Sequence, residues 1–254
     1  MNQTPIEAAT KFVEMNFPNC SAAFLAASAK KESIKKNSDL DIVIFDNEIS
    51  LHFRKVYDYA PWPAEVFGFN LSSFNEFMNK NDSYALPTIY IIITKGFVVK
   101  DNGKAVSIKK MCEERLIKGP PSWSFDELNF ARFEITDQLE DLITSQNVME
   151  NYFIVNKLFN LCATFILRVN DLWLGDGKWL YRELFAYHKG VSKQFISAFE
   201  SYYKTSDKQQ LIEFIDSILE PYGGRLFAGF YQEEEEEHVI DDFYLEEDEE
   251  DAIE

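Results

Sequence analysis

Cysteine is scarce in this chain and never paired. Its 254 residues hold three, Cys20, Cys112 and Cys162. With no Cys-x-x-Cys and no even framework, a disulfide scaffold is excluded, and the three read as buried thiols of a reducing cytoplasm. His52 and His238 stand isolated, so no zinc site is expected. Apolar runs such as Ile89 to Ile93 fall far short of the ~20 residues that a membrane helix needs. No cationic, alanine-capped leader opens the sequence. The expectation is a cytoplasmic protein with no membrane partner. There is no P-loop, no Gly-x-Gly-x-x-Gly, no nucleophile elbow and no internal repeat.

Positive charge is also in short supply. Against 43 Asp and Glu there are 25 Lys and Arg, for a net charge of −18. Glu233 to Glu254 contains fourteen acids and no Lys or Arg, which leaves only −4 to the rest of the chain. Residues 232–254 read as an acidic, disordered tail. The apolar Val239, Ile240, Phe243, Tyr244 and Leu245 within it keep docking on a basic surface open. So acidic a chain argues against a duplex nucleic acid partner. What is plentiful is core material: 46% of residues are hydrophobic and 15% aromatic, enough to exclude a disordered chain.

Periodicity divides the chain. Thr4 to Asn16 puts Ile6, Ala9, Phe12 and Val13 on one helical face, with Thr4 as N-cap before Pro5. Strands are expected over Ala22 to Ala27, Leu40 to Phe45, Leu51 to Tyr59 and Glu65 to Phe69, with Phe97 to Lys100 extended. Short helices are expected over Ser72 to Asn79 and Tyr84 to Thr94. From Lys104 the signal is helical, interrupted by the terminator Gly119-Pro120-Pro121. Helices are then expected over Phe125 to Thr144, Val148 to Val169, Lys178 to Tyr187, Val191 to Tyr203 and Lys208 to Leu219, with Gly223-Gly224 ending the ordered chain. The implied fold is α+β: a mixed sheet flanked by helices over 1–119, then an all-α helical bundle over 120–231.

The chemistry concentrates around Ser38-Asp39-Leu40-Asp41. Alone, an Asp-x-Asp carries little information. On a strand, however, Asp39 and Asp41 point to one face at the mouth of an apolar run. Paired carboxylates repel unless a cation lies between them, and such oxygen-rich pairs suit Mg2+ with substrate phosphates. Glu65 opens another apolar strand and supplies a third acid if that strand neighbours the first. Three acids can hold two metals. Upstream, Ser28 ends a strand where its hydroxyl and nearby N–H groups suit a phosphate.

These residues resemble the nucleotidyltransferase superfamily of DNA polymerase β type, in which a Gly-Ser precedes an Asp-x-Asp strand. Ser28, Ser38, Asp39 and Asp41 match that pattern, and Glu65 is similar to its third acid. Downstream, Trp62-Pro63-Ala64-Glu65, Lys95 to Asp101, Gly119-Pro120-Pro121 and Gly177 to Leu184 are similar to bacterial members with a helical C-terminal domain, such as aminoglycoside nucleotidyltransferases. The resemblance spans about residues 5 to 231. It implies Asp39, Asp41 and Glu65 as catalytic, metal-binding acids around two Mg2+, with a nucleoside triphosphate (ATP among the candidates) held by Ser28 and Ser38. One departure is Ala27, which stands where the family has glycine and adds a methyl group beside the phosphates.

Other candidates are more open. Lys30, Lys31, Lys35 and Lys36 are either phosphate ligands or solvated charge. Arg54 either reaches the phosphates or pairs with a neighbouring acid. Lys178 and Arg182 share a helical face beside Trp179, which suits nucleotide binding or, equally, a core tryptophan with snorkelling cations. Asp137 and Asp141 share a face and offer a general base, or a solvated acidic surface. Arg182 and His188 have a spacing similar to that of HEPN ribonucleases. The leading expectation is transfer of a nucleoside monophosphate to a hydroxyl of a small molecule, aminoglycoside-like acceptors included, with a protein hydroxyl as the rival acceptor. The alternative is an inactive nucleotide sensor or antitoxin-like binding partner.

Overall fold

The Thr4 hydroxyl accepts from the Glu7 amide at 3.3 Å, and the Glu7 carboxylate accepts from the Thr4 amide at 2.8 Å. This reciprocal cap starts α1 (Pro5–Asn16). The computed structural model describes residues 3–26 and 38–233. After α1 come β1 (Ala22–Leu25), β2 (Leu40–Phe45), β3 (Phe53–Tyr57) and β4 (Ala64–Phe69). Helices α2 (Leu71–Ser83) and α3 (Thr88–Lys95) follow, then β5 (Phe97–Asp101) and α4 (Ala105–Lys118). The rest is helical: α5 (Phe125–Thr144), α6 (Val148–Arg168), α7 (Lys178–Tyr187), α8 (Lys189–Thr205) and α9 (Gln209–Leu219). The fold is α+β. Among the described residues no helix is long and apolar enough to cross a membrane.

The strands form one five-stranded sheet in the order β3-β4-β2-β1-β5. Only β2 and β4 run parallel, in the register Leu40↔Ala64 and Asp41↔Glu65. The other neighbours are antiparallel. Period two sorts the side chains. Leu40, Ile42, Ile44, Ala64 and Val66 pack against Ala8, Ala9, Phe12 and Val13 of α1. Val43, Phe45 and Phe69 turn the other way, against Phe74, Met78, Tyr90, Ile93 and Ile108 of α2 to α4. Burying so many large side chains on both faces supplies most of the favourable free energy here.

The C-terminal helices build a separate cluster from Ile135, Leu139, Leu158, Phe165, Phe195, Phe199, Leu211 and Ile215. Gly119 adopts φ 79° just past α4 and stops that helix, as the Gly-Pro-Pro run suggests. The link between α6 and α7 turns back to the sheet. Trp173 packs among the residues covering the α2–α4 face, its ring 5.9 Å from Tyr90 and its indole N–H donating to the Leu116 carbonyl at 3.2 Å. The adjoining Leu174 amide donates to the Ala85 carbonyl at 2.7 Å.

Several element ends shift by a few residues from the sequence reading, α2 reaching Ser83 instead of Asn79, and two departures have a clear physical cause. The helix expected from Tyr84 begins only at Thr88, because Pro87 bars Leu86 from helical backbone and Ala85 takes φ 54°. Nor does order end at Gly223-Gly224. Arg132 takes both glycine carbonyls at 2.9 and 3.0 Å, and Arg225 bridges Asp216 and Glu140. Phe227 and Phe230 then stack on Phe133, with centroids 5.9 and 4.1 Å away. All three cysteines are buried and free.

Candidate metal centre

Asp39, Asp41 and Glu65 come together at the end of the sheet where β2 and β4 begin. Asp41 lies on the face shared by Val43 and Phe45, opposite Leu40 and Ile42, and Asp39 is two residues before it. Parallel register then sets Glu65 beside Asp41. One carboxylate oxygen from each of the three lies within 4.8 Å of the others. Asp39 is exposed, while Asp41 and Glu65 are half-buried. Three carboxylates this close form a strongly unfavourable charge cluster without a cation, and their oxygen donors fit a hard divalent ion.

The electrostatics bear the mark of that crowding. The Asp41 carboxyl is raised to about 7, first by burial, then by Asp39, then by a hydrogen bond and repulsion from Glu65. The Lys178 ammonium opposes the rise. Glu65 has its own counter-ion: Arg54 on β3 donates through Nε at 2.6 Å, and its guanidinium carbon lies 5.4 Å from the Phe67 ring. Of the two roles open to Arg54, the structure displays the pairing with an acid.

Lys178 belongs to the first turn of α7, so the start of this helix lies near enough for its charge to act on Asp41. The Trp173 anchor precedes it by five residues. Gly175 is needed at the join, since a Cβ there would stand 2.4 Å from the Trp179 backbone. A second link is Glu183, whose carboxyl is pushed up by burial and drawn back by Lys95 of α3. Arg182 stacks its guanidinium 4.3 Å above the Trp179 ring. That ring is 43% exposed, so Trp179 is not part of the bundle core.

The remaining candidates separate. Ser38 is half-buried immediately before Asp39. Ser28, with Ala27, Lys30, Lys31, Lys35 and Lys36, lies outside the described residues, as do His238 and the tail from 234 onward. Asp141 lines an open groove with Thr144, Ser145, Glu150, Phe153 and Ile154 at the α5–α6 turn, away from any contact with the three acids. Asp137 accepts from the Gln138 side chain at 3.2 Å. His188 caps α8, its Nδ1 accepting from the Val191 amide at 3.1 Å, which is a structural use of the residue. His52 stacks on Phe69, 6.0 Å between ring centres. Sequence reasoning overlooked Trp173. A lone tryptophan between Leu172 and Leu174 in a short inter-helix link was the available signal.

No family model matches this chain, and no curated protein matches it. Among solved structures it is similar to a nucleotidyltransferase-like protein from Exiguobacterium sibiricum 255-15. That likeness has 8% identity and a TM-score of 0.48, over 85% of this chain and 74% of the other. Nothing about activity follows from so distant a likeness; the acids themselves carry the reading.

Proposed function

We propose that this chain is an Mg2+-dependent nucleotidyltransferase, moving a nucleoside monophosphate from a nucleoside triphosphate to a hydroxyl of a small molecule. The observation that carries the reading is the convergence of Asp39, Asp41 and Glu65 from two parallel strands, with oxygens within 4.8 Å. In this reading residues 1–119 form the nucleotidyltransferase domain and 120–231 a helical domain that borders the acceptor.

Asp39, Asp41 and Glu65 hold the metal, and phosphate binding is assigned to Ser28 and Ser38. Lys178, whose charge already acts on Asp41, offsets triphosphate charge, while Arg182 with Trp179 offers a stacked surface for the nucleotide. Bound Mg2+ supplies neutralisation of phosphate charge and acidification of the acceptor hydroxyl. The acceptor oxygen bonds to the α-phosphorus as that atom's bond to the α–β bridging oxygen breaks. Pyrophosphate leaves, and the hydroxyl proton passes to a base. The chain's contribution is alignment and electrostatic preorganisation.

The test is pyrophosphate release from ATP, GTP, CTP and UTP with MgCl2 across a panel of hydroxyl-bearing small molecules, cationic aminocyclitols included. Acceptor-dependent release by wild type, abolished in an Asp39→Ala variant whose melting temperature is not lowered, is the expected result. A nucleotide that binds but is never turned over moves the reading to a nucleotide sensor or an antitoxin-like partner.

A further inference from the structure

Glu65 is engaged before any ligand arrives. Its side chain is only 12% exposed, and its partner Arg54 is 69% exposed. Arg54 stands on the edge strand β3, opposite Phe67 and two register positions diagonal from Glu65, which itself faces Val56. The contact is made through Nε alone. The two terminal nitrogens donate no hydrogen bond to any other described residue, which leaves their donors open. A guanidinium in this state offers a bidentate surface for an oxyanion, the geometry at which arginine excels.

A cation bound by Glu65 and a guanidinium on the same carboxylate repel each other. Either the arginine weakens the metal site or something anionic draws it aside. We propose that Arg54 is a positioning residue that guards the third acid, neutralising Glu65 in the free protein and releasing it to the metal when a triphosphate takes up the guanidinium. The inference rests on the nucleotidyltransferase reading and adds to it a coupling: metal and triphosphate bind well together and poorly apart. Arg54 already touches Glu65 through Nε, and its 69% exposure leaves room for the guanidinium to turn.

Exposed ion pairs contribute about 0.2–1 kcal/mol, so relieving the competition changes metal affinity by about 1.4- to fivefold. The experiment is calorimetric titration of the full chain with MgCl2 alone, and with inorganic tripolyphosphate in the presence of MgCl2. Wild type is compared with Arg54→Gln, Arg54→Lys and Lys55→Gln. Lys55 adjoins Arg54 on β3 and pairs with Val66 on the opposite face, so Lys55→Gln makes the same change in net charge without touching the acids.

The expected signature has opposite signs. Arg54→Gln binds Mg2+ about 1.4- to fivefold more tightly and tripolyphosphate several-fold more weakly. Arg54→Lys keeps wild-type Mg2+ affinity and loses part of the tripolyphosphate affinity. Lys55→Gln changes neither. Weakening of both ligands by Arg54→Gln, no change in either, or equal shifts in Lys55→Gln overturns the role of Arg54 alone. Failure of wild type to bind either probe overturns the nucleotidyltransferase reading with it.

Discussion

Asp41 and Glu65 sit directly opposite each other on neighbouring parallel strands, the one ladder step in β2 and β4 at which two acids face each other. Asp41 cannot be fully charged without repulsion from its acidic neighbours, and its carboxyl rises to about 7.

That relationship fixes a pH dependence. Asp41 holds its proton to higher pH in the folded chain than in the unfolded one. The resulting stabilisation is complete below the ordinary carboxylate range and is lost as pH rises through about 7. In EDTA, the wild-type melting temperature should therefore decline between pH 5 and 8 by more than that of Asp41→Asn. At pH 8 the variant should melt higher, by roughly 3 °C for each kcal/mol relieved. Parallel melting curves for the two proteins across this range would contradict it.

Lys178 is exposed, so its removal spares the fold. Lys178→Met should keep the wild-type melting temperature and weaken triphosphate binding about tenfold, the worth of one charge-assisted contact. Equilibrium titration with Mg·ATP checks this, and unchanged affinity would remove α7 from the site.

Trp173 carries the link that brings α7 to the acids. Trp173→Ala should cost about 3–5 kcal/mol, a large truncation in a packed environment. Trp173→Phe keeps most of the packing and loses the hydrogen bond to Leu116, for about 1 kcal/mol. If the link positions Lys178, nucleotide affinity falls in Trp173→Ala even at temperatures where the variant is fully folded. Denaturant melts paired with nucleotide titrations separate the two effects.

Much of the fold was legible in the sequence because local rules agreed with tertiary ones. Thr4 caps α1 ahead of Pro5, β2 alternates between two cores, and Gly119-Pro120-Pro121 stops a helix. The start of α3 was misread because the apolar content of Tyr84 to Thr94 outweighed the backbone restriction from Pro87. The strap after Gly224 escaped notice because it is held by Arg132, Arg225 and Phe133, whose contacts lie far apart in sequence. The acids were legible as a group, since one strand with period two aligns Asp39 with Asp41. The Glu65 register, the Arg54 pair and the approach of Lys178 are long-range facts that no local pattern encodes.

The most direct test of a working metal and nucleotide site is calorimetric titration of ATP, GTP, CTP and UTP, with and without Mg2+, into wild type and Asp39→Ala/Asp41→Ala. The account predicts tight binding of at least one nucleotide that needs Mg2+ and disappears in the double variant. Binding that ignores both the metal and the two acids, or no binding of any nucleotide by wild type, would contradict it.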